Sequence, residues 1–238
     1  ISITKAGGIP VLIDEVNIPQ FEIMKIRYSI LELNTAVKPF AIEYCLDLDP
    51  EIEAITYIDP DIKIYGYLDK IWESLIIEKN EICLTPHLLS GISDDKLPSE
   101  ITILQSGTYN LGFIGIRRSN FSKYLLGWWQ ERLFLDCIVD IPNGLFTDQK
   151  WIDLIPGFCS KVKILRDYSY NVAYWNFHER YITKIDNKFF VNSEPLKFFH
   201  FSGFNPKESI ISKHQNRFSF QNRNDLIDIF NDYRESLL

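Results

Sequence analysis

Short apolar runs alternate with longer amphipathic stretches along most of the 238-residue sequence. The short runs are rich in Ile, Val and Tyr, and their length suits buried strands. The longer stretches carry apolar residues at helical spacing, as with Trp129 and Leu133 between Asn120 and Asp136. This alternation predicts a single α/β domain over residues 1–238, with a mixed but mainly parallel sheet flanked by helices.

The same pattern places the individual elements along the chain. Strands are predicted over residues 9–13, 54–58, 82–84, 109–116 and 196–201, and a hairpin over residues 182–185 and 189–191. Helices are predicted over residues 34–46, 67–77, 120–136 and 224–237, the first of them capped by Asn34 or Thr35. An acidic loop is predicted over residues 90–100.

Composition excludes several classes of protein. The net charge of −7, from 25 Lys and Arg against 32 Asp and Glu, argues against a general affinity for nucleic acid. The four cysteines form no CxxC pair, which indicates free thiols in a reducing cytoplasm. No apolar run approaches the roughly 18 residues of a membrane span. We therefore predict a cytoplasmic protein without a transmembrane segment.

The most informative polar residues are Asp59 and Asp61, which directly follow the apolar run at residues 54–58. In extended backbone, residues i and i+2 project to the same side, so the two carboxylates can converge on one cation. Pro60 ends ladder pairing and favours extended geometry at Asp59. Paired carboxylates suit Mg²⁺ or Mn²⁺. A solvated acidic turn after a strand explains the same residues, and the pattern alone does not choose between the two.

Four local strings occur in an order that resembles the nucleotide-sugar glycosyltransferases of the GT-A fold, and within that fold glycosyltransferase family 8 with its bacterial relatives. The strings are YIDPDI at 57–62, YNLGFI at 109–114, TDQ at 147–149 and HFSG at 200–203. The resemblance covers residues 9 to about 207. It implies a GT-A type, Rossmann-like sheet flanked by helices.

The resemblance also implies roles for individual residues. It implies a divalent cation, Mn²⁺ or Mg²⁺, held by Asp59, Asp61 and His200, and catalytic positions at Asp148 and Gln149. It implies donor-binding residues at Lys38, Asn110, Gly112, Ser202, Gly203 and Lys207. Plainer explanations stay open: His200 as a hydrogen-bonded core residue, Asp148 as a helix cap, Lys38 as a solvated lysine and Gly203 as a turn residue.

The function that the resemblance implies is polysaccharide biosynthesis. A hexosyl group would move from a nucleoside diphosphate sugar, with a UDP-sugar favoured, to a glycan or glycolipid hydroxyl with retention of configuration. A glycolipid acceptor would bring the protein to the inner face of the membrane by peripheral association. If only the wider fold is shared, Asp148 becomes the general base of an inverting reaction.

Two other classes of function fit part of the pattern. Haloacid dehalogenase-like phosphohydrolases also place Asp-x-Asp after an apolar strand, but their motif has Thr or Val at the position where this chain has Lys63. Their later acidic pair would have to be Asp94 and Asp95. The other alternative is a sugar-binding domain without catalytic turnover.

The chain departs from the family pattern at two places. The family has a Lys three residues after the late Gly, whereas here Pro206 holds that position and Lys207 follows it. The family also begins with a further strand that binds the nucleotide base, and this chain begins at Ile1 near the next strand. The resemblance therefore predicts an N-terminally truncated domain in which the sheet edge or the nucleotide pocket is open near residues 9–14.

Overall fold

The computed structural model describes residues 7–237. Its strands, in chain order, are β1 (Ala54–Ile58), β2 (Ile62–Ile64), β3 (Ile82–Leu84), β4 (Phe113–Arg117), β5 (Val139–Asp140), β6 (Leu145–Phe146), β7 (Val162–Ile164), β8 (Ile182–Ile185), β9 (Lys188–Val191), β10 (Glu194–Pro195) and β11 (Phe198–His200). Its helices are α1 (Phe21–Arg27), α2 (Ile30–Ala36), α3 (Lys38–Asp47), α4 (Asp69–Trp72), α5 (Glu100–Ser106), α6 (Asn120–Asp136), α7 (Gln149–Ile152), α8 (Ile155–Phe158) and α9 (Ile227–Ser236).

The central sheet has four strands in the order β1-β4-β3-β7. β4 is antiparallel to both of its neighbours, and β3 and β7 are parallel. The α/β class and the mixed sheet are therefore confirmed. The mainly parallel arrangement is wrong for the described strands, because alternating apolar and amphipathic stretches do not specify strand direction.

Side chains of the central strands alternate between two apolar clusters, one on each face of the sheet. Ile114 and Ile116 of β4 belong to the cluster that contains Trp129 of α6. Phe113 of the same strand belongs to the cluster on the opposite face, with Ile71 and Phe198. The sheet is thus buried on both faces, which explains the nearly continuous apolar composition of β4.

A smaller two-stranded sheet carries the chain away from the end of β1. After Pro60 the chain enters β2, which pairs antiparallel with β11 and places His200 opposite Ile62. Helix α9 packs beside this sheet, and Lys63 of β2 donates to the carboxylate of Asp232 in α9 at 2.7 Å. Two segments that are far apart in the sequence are thereby held side by side.

Several predicted elements are confirmed in position. β1 and α6 have the predicted bounds, and the hairpin of β8 and β9 lies where it was predicted. Ser119 caps α6 by accepting from the backbone N–H of Ser122 at 3.0 Å. The predicted helix over residues 67–77 forms as α4 followed by a π-helical turn, Glu73–Ile77.

Other elements differ from the predictions. The helix predicted over residues 34–46 forms as α2 and α3, and its cap is Ser29 rather than Asn34 or Thr35. Ser29 and Glu32 satisfy each other's backbone N–H groups, so the helix begins earlier. The strand predicted over residues 109–116 forms as β4, which begins only at Phe113, and the strand predicted over residues 196–201 forms as the shorter β11.

The predicted strand at residues 9–13 is wrong. Only a 3₁₀ turn at Ile13–Val16 is regular there, and Ile9 is 86% exposed, so the apolar run does not enter the sheet. Among the described strands, the edges of the central sheet are β1 and β7, and residues 9–14 form neither of them. Across residues 7–237, no helix combines the length and the apolar character that crossing a bilayer requires.

Tyr28, which follows α1, joins the N-terminal helices to the end of α6. Its buried hydroxyl donates to the Leu133 carbonyl at 2.7 Å and accepts from the Cys137 N–H at 3.2 Å. Tyr28→Phe leaves both backbone groups without a partner, so we expect a loss of about 1–3 kcal/mol in the free energy of unfolding. Urea denaturation measures it, with Tyr124→Phe, exposed on α6, as the control. Equal midpoints for the two variants would contradict this role.

Candidate functional site

Asp59 and Asp61 lie in the turn between β1 and β2. The backbone N–H of Asp59 donates to the Gly112 carbonyl at 2.8 Å, which extends the β1–β4 ladder by one residue. The N–H of Ile62 then donates to the Asp59 carbonyl at 3.0 Å and closes a turn around Pro60. The turn holds both carboxylates at the end of the strand, as the sequence predicts.

His200 reaches the same turn through the β2–β11 ladder. The backbone N–H of Phe201 donates to the Asp61 carbonyl at 2.9 Å. The His200 Nε2 atom lies 3.0 Å from Asp61 Oδ1. One ligand atom from each of Asp59, Asp61 and His200 lies within 4.8 Å of the other two. The structure therefore brings together all three predicted metal ligands, and two carboxylates with one imidazole suit Mn²⁺ or Mg²⁺.

Lys38 is a buried charge at the start of α3. Its Nζ lies 2.9 Å from Asp148 Oδ2 and 3.4 Å from Asp59 Oδ1, and it donates to the Leu111 carbonyl at 3.0 Å. Burial alone lowers the pKa of Lys38, but the two carboxylates outweigh burial and raise the pKa above its ordinary value. Lys38 is thus a buried, paired charge and not a solvated lysine.

Tyr57 is a site residue that the sequence analysis missed. Its hydroxyl donates to Asp59 Oδ1 at 2.6 Å, and Lys38 Nζ lies 4.9 Å from the centre of its ring. Burial first, and then the Asp59 carboxylate, raise the pKa of Tyr57 well above its ordinary value, so the phenol keeps its proton. The same period-two rule that pairs Asp59 with Asp61 places Tyr57 on their side of the strand and would have found it.

Asp148 occupies the N-cap position of α7, yet its side chain makes no capping hydrogen bond. Its carboxylate pairs with Lys38 and accepts from the Thr147 hydroxyl at 3.1 Å. The residue is 2% exposed, and burial raises the pKa of its carboxyl, an effect that Lys38 only partly offsets. The helix-cap explanation of Asp148 therefore does not hold.

The backbone just before Asp148 is strained. Thr147 has φ of 47°, in the left-handed region that β-branched residues rarely adopt. Its N–H donates to the Ile138 carbonyl at 2.9 Å, and the indole of Trp129 donates to the Asp148 carbonyl at 3.1 Å. These contacts hold the strained segment in place, and such strain is commonest at functional sites.

Gln149 uses its side-chain amide to join two backbone segments. Oε1 accepts from the Leu111 N–H at 3.1 Å, and Nε2 donates to the Ser106 carbonyl at 2.8 Å. The residue thus connects the end of α5 to the loop that leads into β4. Its polar atoms are engaged with the protein itself.

Apart from Tyr57, the polar and charged residues described above line one pocket with a volume of about 560 Å³. The predicted site residues that line it are Lys38, Asp59, Asp61, Asn110, Gly112, Asp148, Gln149, His200 and Ser202. Gly203 and Lys207 are not among the lining residues. Gly203 has φ of 69°, and a Cβ atom there would meet His214 Cδ2 at 2.4 Å, so its absent side chain makes room for His214.

Two histidines, a tyrosine and a tryptophan complete part of the pocket wall, and the two histidines were not assigned to it from the sequence. His87, Tyr174, Trp175 and His214 all line the pocket. The rings of His87 and His200 each meet Trp175 edge to face, at 5.2 Å between centroids. Burial lowers the pKa of His87 to about 4, which makes it a neutral residue of the pocket wall. Nothing in the local sequence around His87 or His214 signals this position.

No protein-family model matches the sequence. Two uncharacterized proteins of Bacillus subtilis are similar to it: YfnF is 28% identical over 176 residues and YfnD is 26% identical over 102 residues. These alignments cover 71% and 42% of this chain. The chain spans about half the length of YfnF, 55%, and 33% of the length of YfnD.

Among solved structures, one similar chain is a glycosyltransferase involved in the glycosylation of the major capsid of PBCV-1. The TM-score is 0.49 and the sequence identity 9%, with 75% of this chain and 74% of that chain covered. A similarity of this size carries no argument about fold or function. The functional argument therefore rests on the pocket and its residues.

The contacts of Gln149 predict a structural cost of its removal. Gln149→Ala leaves the Leu111 N–H and the Ser106 carbonyl without partners, so we expect a loss of about 2–4 kcal/mol in the free energy of unfolding. Gln105→Ala, at an exposed residue of the same pocket, is the control and should change stability little. Thermal and urea unfolding of both variants measure this, and a Q149A variant as stable as the wild type would refute the bridging role.

Proposed function

We propose that the protein is a metal-dependent glycosyltransferase that moves a hexosyl group from a nucleoside diphosphate sugar to a hydroxyl of a glycan or glycolipid. The observation that carries the proposal is the convergence of Asp59, Asp61 and His200 on one wall of the pocket. The motif resemblance supplies the donor class. Within that class we favour a UDP-sugar as donor.

The charge of the pocket supports a divalent cation as part of the site. Three carboxylates, those of Asp59, Asp61 and Asp148, face a single ammonium, that of Lys38, which gives a net charge of −2 with the histidines neutral. Among the residues that the structure describes, Lys38 is the only Lys or Arg in the lining. Such a pocket repels a diphosphate, whereas a bound divalent cation would balance the negative charge and allow the phosphates to approach.

The residues present fit such a cation. Tyr57 and Lys38 engage Oδ1 of Asp59, which leaves Oδ2 to coordinate. His200 offers a ring nitrogen at hydrogen-bond distance from Asp61. When bound, the cation supplies Lewis-acid stabilisation of the charge that develops on the leaving diphosphate. The carboxylates and the imidazole hold it at the end of β1, and Ser202, beside His200 in the pocket lining, offers a hydroxyl to the donor.

The sugar end of the proposed site lies at Asp148 and Gln149. Asp148 is almost fully buried and paired with Lys38, so it is poorly placed to act as the general base that an inverting reaction needs. The Gln149 amide holds the backbone of Leu111 and Ser106 in place at this end of the site. We therefore favour retention of configuration, with the acceptor attacking on the face that the diphosphate leaves. Asp148 then stabilises positive charge on the sugar from its fixed position.

The setting of this reaction is also part of the proposal. All four cysteines are free thiols, which supports a reducing compartment. We place the activity in the cytoplasm, with glycolipid acceptors reached at the inner face of the membrane. The activity of the longer relatives is not known, so the proposal concerns the site in this chain.

The geometry does not favour the phosphohydrolase alternative. Its second acidic pair would be Asp94 and Asp95, and neither lines the pocket. The carboxylate of Asp94 instead accepts a bidentate pair of hydrogen bonds from Arg217. The acidic pair needed beside Asp59 is therefore engaged elsewhere in the structure.

Removing one charge from the cluster tests the proposal. Asp59→Asn or Asp61→Asn takes away a carboxylate ligand, so we expect Mn²⁺-dependent binding of UDP to weaken at least about 10-fold, or about 1.4 kcal/mol. Calorimetric titration of UDP with and without Mn²⁺ measures the affinity. Asp95→Asn, an exposed carboxylate outside the pocket, is the matched control and should bind as the wild type does.

Slow hydrolysis of nucleoside diphosphate sugars separates the three classes of function. A transferase releases the nucleoside diphosphate in a Mn²⁺-dependent manner, a phosphohydrolase releases inorganic phosphate, and a sugar-binding domain releases neither. UDP affinity that is independent of both Mn²⁺ and the two aspartates would overturn the metal-dependent proposal.

A further inference from the structure

Asn110 lies at the centre of a buried cluster of hydrogen bonds beside His200. Its Oδ1 accepts from the backbone N–H of Gly112 at 3.2 Å and from Asn171 Nδ2 at 3.1 Å. The same oxygen lies 3.1 Å from Nδ1 of His200. One oxygen atom thus links the loop before β4 to the ring of a proposed metal ligand.

The backbone N–H of Gly112 determines which atoms of Asn110 and His200 donate and which accept. A backbone N–H can only donate, so the atom of Asn110 that faces Gly112 is the carbonyl oxygen and not the amide nitrogen. That oxygen can only accept, so Nδ1 of His200 carries the hydrogen that joins them. The amide orientation and the histidine tautomer, which are usually matters of inference, are here decided by one peptide group.

The consequence lies at the other ring nitrogen of His200. In a neutral imidazole only one nitrogen carries hydrogen, so Nε2 presents its lone pair. Nε2 is the atom that lies 3.0 Å from Asp61 Oδ1. A lone pair facing a carboxylate is unfavourable unless a positive charge lies with them. A cation coordinated by both groups removes this repulsion, as does a second proton on the ring that joins Nε2 to the Asp61 carboxylate.

Gly112 makes room for the ring in this orientation. A Cβ atom at Gly112 would lie 2.4 Å from Cε1 and 2.7 Å from Nδ1 of His200, closer than side-chain carbons approach such atoms. The carbonyl of the same residue accepts from the Asp59 N–H at 2.8 Å. Gly112 therefore fixes the backbone of one proposed ligand and the ring position of another.

We infer that Asn110 and Gly112 are positioning residues that fix the ring orientation and tautomer of His200, so that Nε2 faces Asp61. This differs from the donor-binding role that the sequence resemblance implies for them. The inference rests on the proposed function, because positioning His200 matters only if His200 binds a metal. The hydrogen bond between Asn110 and His200 itself needs neither metal nor donor. Partners of this kind behind metal-binding histidines typically contribute a factor of about 10 to 100 in metal affinity.

The tautomer is measured first, in the full chain without metal. Long-range ¹H–¹⁵N spectra of the ring nitrogens resolve the chain's four histidines, and the His200→Gln variant identifies the signals of His200. We expect Nδ1 to carry hydrogen in the wild type and in Asn110→Asp, which keeps an acceptor oxygen. Asn110→Leu has the same shape without the acceptor, so its Nδ1 should lose the hydrogen and Nε2 should donate to Asp61.

Mn²⁺ affinity is measured next, from the loss of the free-ion signal in electron paramagnetic resonance. Asn110→Leu should weaken Mn²⁺ binding about 10-fold to 100-fold, and Asn110→Asp less than about 3-fold. Asn176→Leu is the matched control, because Asn176 is a buried asparagine bonded to the His87 and Asn171 carbonyls and not to His200. It should lower the melting temperature and leave Mn²⁺ affinity as in the wild type.

The outcomes are distinct. A wild-type His200 with a bare Nδ1 overturns the inference without any variant, and so does an Asn110→Leu protein whose tautomer and Mn²⁺ affinity match those of the wild type. If Asn176→Leu lowers Mn²⁺ affinity as much as Asn110→Leu does, both losses would reflect general destabilisation. That result would also overturn the inference. If the wild type binds no Mn²⁺ the proposed function fails, while the ring spectra still decide the role of Asn110.

Discussion

The buried ammonium of Lys38 holds the candidate site together. It joins the first residue of α3 to Asp59 at the end of β1, to Asp148 at the start of α7 and to the Leu111 carbonyl before β4. Burying such a charge costs several kcal/mol, and removing one partner of a buried pair typically costs about 3–5 kcal/mol. The positions of the two carboxylates are therefore interdependent, because both pair with the same buried lysine.

The sequence predicted the parts of the fold that depend on local chemistry. β1 is correct because β-branched residues end abruptly at Pro60, and α6 is correct because its apolar spacing and its cap agree. The run at residues 9–13 has strand composition without a partner strand, and the structure leaves Leu12 67% exposed. Strand direction was not predictable either, since an antiparallel β4 between β1 and β3 satisfies the same apolar pattern.

The sequence predicted the three residues that the structure brings together, Asp59, Asp61 and His200, but not the contacts that hold their neighbours in place. Asp59 and Asp61 follow from the strand period, whereas His200 came from the motif resemblance, because β2 is too short to be recognised. The roles of Gln149 and Asn110 depend on which backbone groups their amides meet. Ser106 lies 43 residues from Gln149, and His200 lies 90 residues from Asn110, so no local spacing encodes these contacts. Residue types and their spacing therefore predicted the position of the candidate site, whereas the role of each side chain depends on tertiary contacts.

The central claim is that a divalent cation completes this negatively charged pocket. Anomalous diffraction from crystals soaked with Mn²⁺ and a nucleoside diphosphate tests it most directly. The account predicts one peak with carboxylate oxygens of Asp59 and Asp61 at about 2.0–2.6 Å, the ring of His200 completing the protein ligands through Nε2. A diphosphate bound in the pocket without such a peak, or a peak held by other residues, would contradict it.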